Sequence, residues 1–141
     1  MASFVKYNLF IDELSKGGHN LQTAVFKGAL TNTAPTVASD TVWNTTVAPA
    51  PAAANGYTSG GNTLTTSSAA TTSGTFKLVL ADTVFTATAG GIGPFRYFII
   101  YNSSATNKVV GYYDYASSIT LADTETFTVD FDNTNGVLTL T

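Results

Sequence analysis

The sequence contains no cysteine, which excludes disulfide scaffolds and thiolate metal centres. Charge is scarce too: 11% of residues are Asp, Glu, Lys or Arg, against roughly 25% in an average soluble domain. Arg96 is the only arginine, the lysines are scattered, and the net charge is −3. Binding a nucleic acid requires several cations on one surface, so no nucleic-acid partner is expected. No apolar run has the length of a membrane span, and the opening MASFVKYNLF lacks the pattern of a secretion signal. Synthesis in the cytoplasm and no membrane partner are therefore expected.

Catalytic machinery is equally thin. His19 is the only histidine, and no G-x-S-x-G elbow accompanies it, so a Ser-His-Asp triad has no nucleophile site to use. Glu13 and Glu125 are the only glutamates. Asp114 and Asp130 are the carboxylates that could face each other across a groove as a glycosidase pair. In GGIGPFR, Arg96 stands where a dinucleotide fingerprint needs its third glycine, and a strand pattern follows instead of a helix. The oxygen-rich DFDNTNG lacks the downstream glutamate of a calcium loop, and reads as a hairpin turn. No catalytic residue, metal or cofactor is expected.

What the chain does have is Thr, Ser and Asn in quantity, arranged for strands. Its 141 residues fit one domain, residues 1–141, in which folding buries about two thirds of the chain's surface. From Ser3 to Lys16, Phe4, Tyr7, Ile11 and Leu14 recur at steps of three and four, which predicts one short amphipathic helix over 3–16. Ser3 is its expected cap, Asp12 and Lys16 an i,i+4 pair, and Gly17-Gly18 its stop. Beyond Asn20 the period changes to two. Thr23 to Thr31 reads as a strand with a bulge near Gly28. Residues 32–55 carry Pro35, Pro49 and Pro51 among Ala, Thr and Asn, and read as an extended arm or long loop.

Residues 64–141 form the main β body. Strand-like runs cover Leu64 to Ala69, Gly74 to Leu80, Val84 to Ala89, Phe95 to Tyr101, Val109 to Tyr115, Ser117 to Leu121, Thr126 to Asp132 and Val137 to Leu140. That rhythm predicts a mostly β fold, an antiparallel β-sandwich or jelly-roll-like barrel. Phe98-Ile99-Ile100-Tyr101 is apolar on both faces and so belongs to a central strand. Phe127, Val129 and Phe131 alternate with polar residues, and the NTNG that follows predicts a closing hairpin. The candidate contact residues are Trp43, Tyr57, Arg96, Tyr113 and Tyr115, the large or planar side chains that dominate protein interfaces. For Arg96 the alternative is an ion pair with an Asp at the sheet edge. Trp43 packs on its own core or on a partner. Tyr113 and Tyr115 share one strand face and suit either subunit contact or stacking on carbohydrate.

Taken in order, FVKYNLFIDELSKGGHNL, ALTNTAPT, GYTSGGNT, FKLVLAD, GGIGPFRYFIIYN and SSITLADTETFTVDFDNTNGVLTL resemble a family of small virion structural proteins of tailed bacteriophages. The resemblance covers nearly the whole chain, with residues 37–54 fitting least. It implies a virion location and a non-catalytic capsid decoration or cement subunit. It also implies the major capsid protein as partner and a homo-oligomer, a trimer first of all. The alternative is a tail or fibre component that touches host-surface glycans.

Overall fold

A computed structural model describes residues 2–43 and 53–141. The chain is mostly β, with antiparallel sheets and one short helix near its start, consistent with a β-sandwich. Its surface of 6829 Å² matches the roughly 7,000 Å² that area scaling gives for this mass. The elements are β1 (Phe4–Lys6), α1 (Asn8–Ser15), β2 (Phe26–Thr31), β3 (Asn62–Thr63), β4 (Thr66–Thr72), β5 (Thr75–Leu80), β6 (Thr83–Thr86), β7 (Ile92–Asn102), β8 (Lys108–Leu121), β9 (Thr126–Val129) and β10 (Leu138–Leu140). They form a five-stranded sheet β1-β8-β7-β2-β3, a three-stranded sheet β10-β5-β4 and a ribbon β6-β9.

The run Phe98 to Tyr101 sits in β7, flanked by β8 and β2, and all four residues are buried. On one side the Phe98 ring meets Phe85 and Phe131, each at 6.1 Å between centroids. On the other, Tyr101 stacks on Trp43 at 5.7 Å and Tyr97 meets Tyr112 edge-on. Burial on both faces is why this segment carries an unbroken apolar run where a half-exposed strand would alternate.

The N-terminus departs from the expected helix over 3–16. Phe4–Lys6 is a strand paired to Tyr113–Gly111 of β8, and α1 begins only at Asn8, behind an extended Tyr7 with no side-chain cap. Gly111 explains the preference. Its missing side chain leaves room for the Phe4 ring, which lies where a Cβ would stand, and Phe4 tilts against Tyr113 at 5.5 Å. Tertiary burial thus overrides a helical spacing, and Ser3 has no helix to cap. The helix also turns a different face inward. Phe10 is buried while Ile11 is exposed. The Asp12 to Lys16 pair forms at 2.6 Å, and Gly17 takes positive φ at the stop.

No bulge occurs at Gly28. Its strand pairs in unbroken register with β7 from Phe26↔Asn102 to Thr31↔Tyr97, and the strand starts at Phe26 instead of Thr23. The glycine serves packing: a Cβ there would stand 2.2 Å from Cζ of Phe98. The bulging belongs to β8, where Arg96 alone faces four residues, 115–118, between the pairs Tyr97↔Asp114 and Phe95↔Ile119. The two expected strands Val109 to Tyr115 and Ser117 to Leu121 are therefore one strand bowed in the middle.

The expected C-terminal hairpin does not form. Instead β9 pairs with β6, and β10 pairs with β5. NTNG is still a turn, built on Asp132, whose Oδ1 accepts from the backbone of Thr134 and Asn135 while its carbonyl accepts from Gly136. The ladder partners come from elsewhere in the chain. Within the expected arm, residues 32–43 lie on the body: Val42 bridges to Lys108, Trp43 N donates to the Asn107 carbonyl, and Val109 N donates to that of Thr41. The proline pair Pro49 and Pro51 falls outside the described residues.

Candidate functional site

The bow in β8 shapes a groove of about 760 Å³ between the β1–β8 edge and the chain that runs from β9 towards β10. Tyr113 and Tyr115 alternate onto its floor with Phe4, and Thr128, Asp130 and Asp132 form the opposite wall. Ala116 has positive φ and its N–H donates to Asp114 Oδ1 at 2.8 Å. This local turn lets Asp114 reach the rim although it alternates with the tyrosines. Both tyrosines are half-buried. Tyr115 meets Phe127 edge-on at 4.9 Å, and Tyr113 leans on Phe131 at 6.1 Å.

Arg96 is tied down beside this groove. Its Nε donates to Asp114 Oδ1 at 2.7 Å and an Nη to Oδ2 at 2.8 Å, a two-pronged match of guanidinium and carboxylate. Its guanidinium also lies 5.1 Å from the centre of the Tyr97 ring. The ion-pair reading of Arg96 is the one the geometry gives. Hydrogen bonding from Arg96 holds the Asp114 carboxyl below its ordinary range. Asp132 is lowered likewise by the N–H groups of Asn135. Burial pushes the phenols of Tyr113 and Tyr115 up to about 12. Near neutral pH the groove therefore presents ionised Asp114 and Asp132 beside un-ionised phenols. A general acid in glycoside hydrolysis needs a carboxyl held protonated, the opposite of what Arg96 does to Asp114.

Of the five candidate contact residues, the structure brings Tyr113 and Tyr115 together in the groove, with Arg96 holding its Asp114 rim. Trp43 and Tyr57 lie away from the groove, and of the two readings of Trp43 the structure gives packing on its own core. Both lie inside the fold, at 3% and 5% exposure, because each satisfies the core: Trp43 stacks on Tyr101, while Tyr57 stacks on Phe85 and its hydroxyl accepts from Leu30 N at 3.1 Å. Two contributors were missed. Phe4 was hidden by its helical spacing to Tyr7, and Thr128 carries no signal beyond its place in an alternating strand.

Among the described residues, no group of three His, Cys, Asp or Glu side chains is placed to hold a metal ion. His19 is buried, and its Nδ1 accepts from the Asn102 side-chain amide at 3.2 Å. The direction follows from Asn102 Oδ1, which already accepts from Ser104 N. Nε2 thus carries the proton of a neutral ring and, among the described residues, finds no partner.

Burial first, and then the Lys108 charge, lower the His19 pKa from 6.5. The unfolded chain therefore binds a proton that the fold resists. Stability is full above 6.5 and falls as the pH drops from there towards the folded-state value. Urea unfolding of the native protein should show this loss between 6.5 and the onset of carboxylate titration. His19→Gln, which cannot titrate, should remove it; an unchanged slope would assign the acid sensitivity to other groups.

Comparison with protein-family models, with curated proteins and with solved structures finds no match to this chain.

Proposed function

We propose that this chain is a non-catalytic structural subunit of a tailed-phage particle, a decoration or cement protein that stabilises the head by binding the major capsid protein. The observation that carries the reading is a surface made for adhesion. No charged residue lies between Asp40 and Lys77, and within that stretch β4 and the turn after it present exposed Thr, Ser, Ala and Gly. Uncharged hydroxyl surface is cheap to desolvate against another protein, because no ion has to leave water. Several groups with reactive potential are engaged within the fold: Arg96 with Asp114, Lys108 with Glu13, and His19 through its Nδ1 with Asn102. The ordered resemblance to small virion proteins supports the same role, with location in the particle after synthesis in the host cytoplasm. Weak single contacts suffice there, since many copies on one shell multiply through effective concentration.

The purified protein should bind expanded heads that lack it and raise their resistance to heat or denaturant. Heads that bind no protein at micromolar concentration, or that gain no resistance on binding, would remove the proposal.

The groove favours a second reading, a tail or fibre subunit that contacts host glycans. Tyr113, Tyr115 and Asp130 supply half-exposed aromatic surface beside a carboxylate, the combination on which a sugar ring stacks and hydrogen-bonds. Locating the chain on separated heads or separated tails decides between the two.

A further inference from the structure

Among the described residues the outer edge of β4 is open. In the order β10-β5-β4, β4 is an end strand, and among the described residues only β5 pairs with it. An antiparallel ladder leaves every second residue of an end strand with its N–H and C=O pointing away. Natural edges are normally guarded by lysine, proline or an inward charge. Thr66–Thr72 reads TSSAATT and has none of these. Its only irregularity is the register shift at Ser67, near one end. The strand leads into a tight turn, Ser73-Gly74, in which both residues have positive φ. That is the geometry that keeps a hairpin's twist regular, so the edge projects intact.

The sequence of this edge matches itself. Run antiparallel about Ala69, it sets Thr66 against Thr72, Ser67 against Thr71, Ser68 against Ala70, and Ala69 against its own copy. Small hydroxyl and methyl groups meet their like, and no charge opposes a charge. We propose that two copies of this chain join by antiparallel pairing of their β4 strands, with the two-fold axis at Ala69. The two three-stranded sheets then become one of six strands. The symmetry is two-fold and differs from the three-fold oligomer that the resemblance implies. A partner strand of another protein would also find unpaired groups here, but a second copy by its own sequence makes every cross-strand pair neutral and small on both sides.

A ribbon of seven residues buries less than the roughly 1,200 Å² of a stable complex. Association is therefore expected at micromolar concentration in solution. The inference rests on the edge alone, so failure of head binding would leave it standing, and its own failure would leave the adhesive role standing.

Ser68 and Ala70 are exposed, and Ala70 faces Lys77 within its own hairpin. Ser68→Glu combined with Ala70→Glu should spare the fold, yet it places two like-charged pairs across the two-fold interface. Sedimentation equilibrium should show dimerisation weakened about tenfold. Ser68→Lys combined with Ala70→Glu alters the same two positions but sets opposite charges across the interface, and should restore the dimer to wild-type strength or better. A wild-type protein that stays monomeric at high micromolar concentration overturns the proposal. So does a double-glutamate variant that dimerises like wild type, or a lysine–glutamate variant as weak as the double-glutamate one. Circular dichroism of both variants checks that each is folded.

Discussion

Phe98→Ala should lower the free energy of unfolding by about 3–5 kcal/mol, a large part of the roughly 5–15 kcal/mol available to a domain. Phe98 is fully buried on the central strand β7, and its ring meets Phe85 from the ribbon, Tyr113 from β8, and Phe131 from the chain beyond β9. It also lies against Gly28 on β2. These neighbours belong to ladders fixed from several directions, so they cannot close onto the space an alanine would leave. The expectation sharpens with a second substitution. Gly28→Ala alone should destabilise, because its Cβ falls 2.2 Å from Cζ of Phe98 and that ring is hemmed in. Made together with Phe98→Ala, the same methyl enters vacated space. The double variant should be more stable than the sum of the singles predicts, by about 1–3 kcal/mol. Urea titration of the four proteins measures it, and strict additivity would show that ring and glycine do not depend on each other.

Trp43→Ala comes next, with an expected loss of about 3–5 kcal/mol in the isolated protein. Trp43 is the chain's only tryptophan, its ring is stacked at 15° on Tyr101, and its backbone N–H is bonded to Asn107. It therefore seals one face of β7. Trp43→Phe keeps an aromatic plane over Tyr101 and should cost less than half as much. If Trp43 served instead to grip a partner, its removal would leave the melting temperature of the isolated chain unchanged and weaken only the complex. The native protein also carries its own reporter, since emission from this one indole should shift to longer wavelength as the fold opens.

Where burial writes itself into consecutive residues, the sequence is readable. Phe98 to Tyr101 shows a covered central strand because four apolar residues in a row have no other use in a β protein. The alternation of Tyr113 and Tyr115 likewise puts both on one face, and the structure places both in one groove. Pairing partners are another matter. Asp132 to Gly136 turns as its residues demand, but a turn specifies only a change of direction. The partner of β9 is β6 instead, with Phe85 opposite Phe127. Phe4 and Tyr7 have helical spacing and still lie in or beside a strand, because Gly111, more than a hundred residues on, offers a seat for a ring. Trp43 stands in a segment without periodicity, so nothing local says which way it faces. Thr, Ser and Ala at the β4 edge are easily passed over for the same reason: their meaning is the absence of charge.

The pairing of β1 with β8 fixes the order in which the protein can be finished during its synthesis. Lys6 leaves the ribosome 105 residues ahead of its ladder partner Gly111, a delay of about 5–20 s at about 5–20 residues per second. Until then Phe4 has no seat, and the groove, whose lining after the N-terminal residues runs from Tyr113 to Val137, has yet to be made. Completion of the five-stranded sheet is thus a late, long-range event of the kind that makes β proteins slow to mature, and a nascent chain halted before Gly111 would be held without its first strand in place.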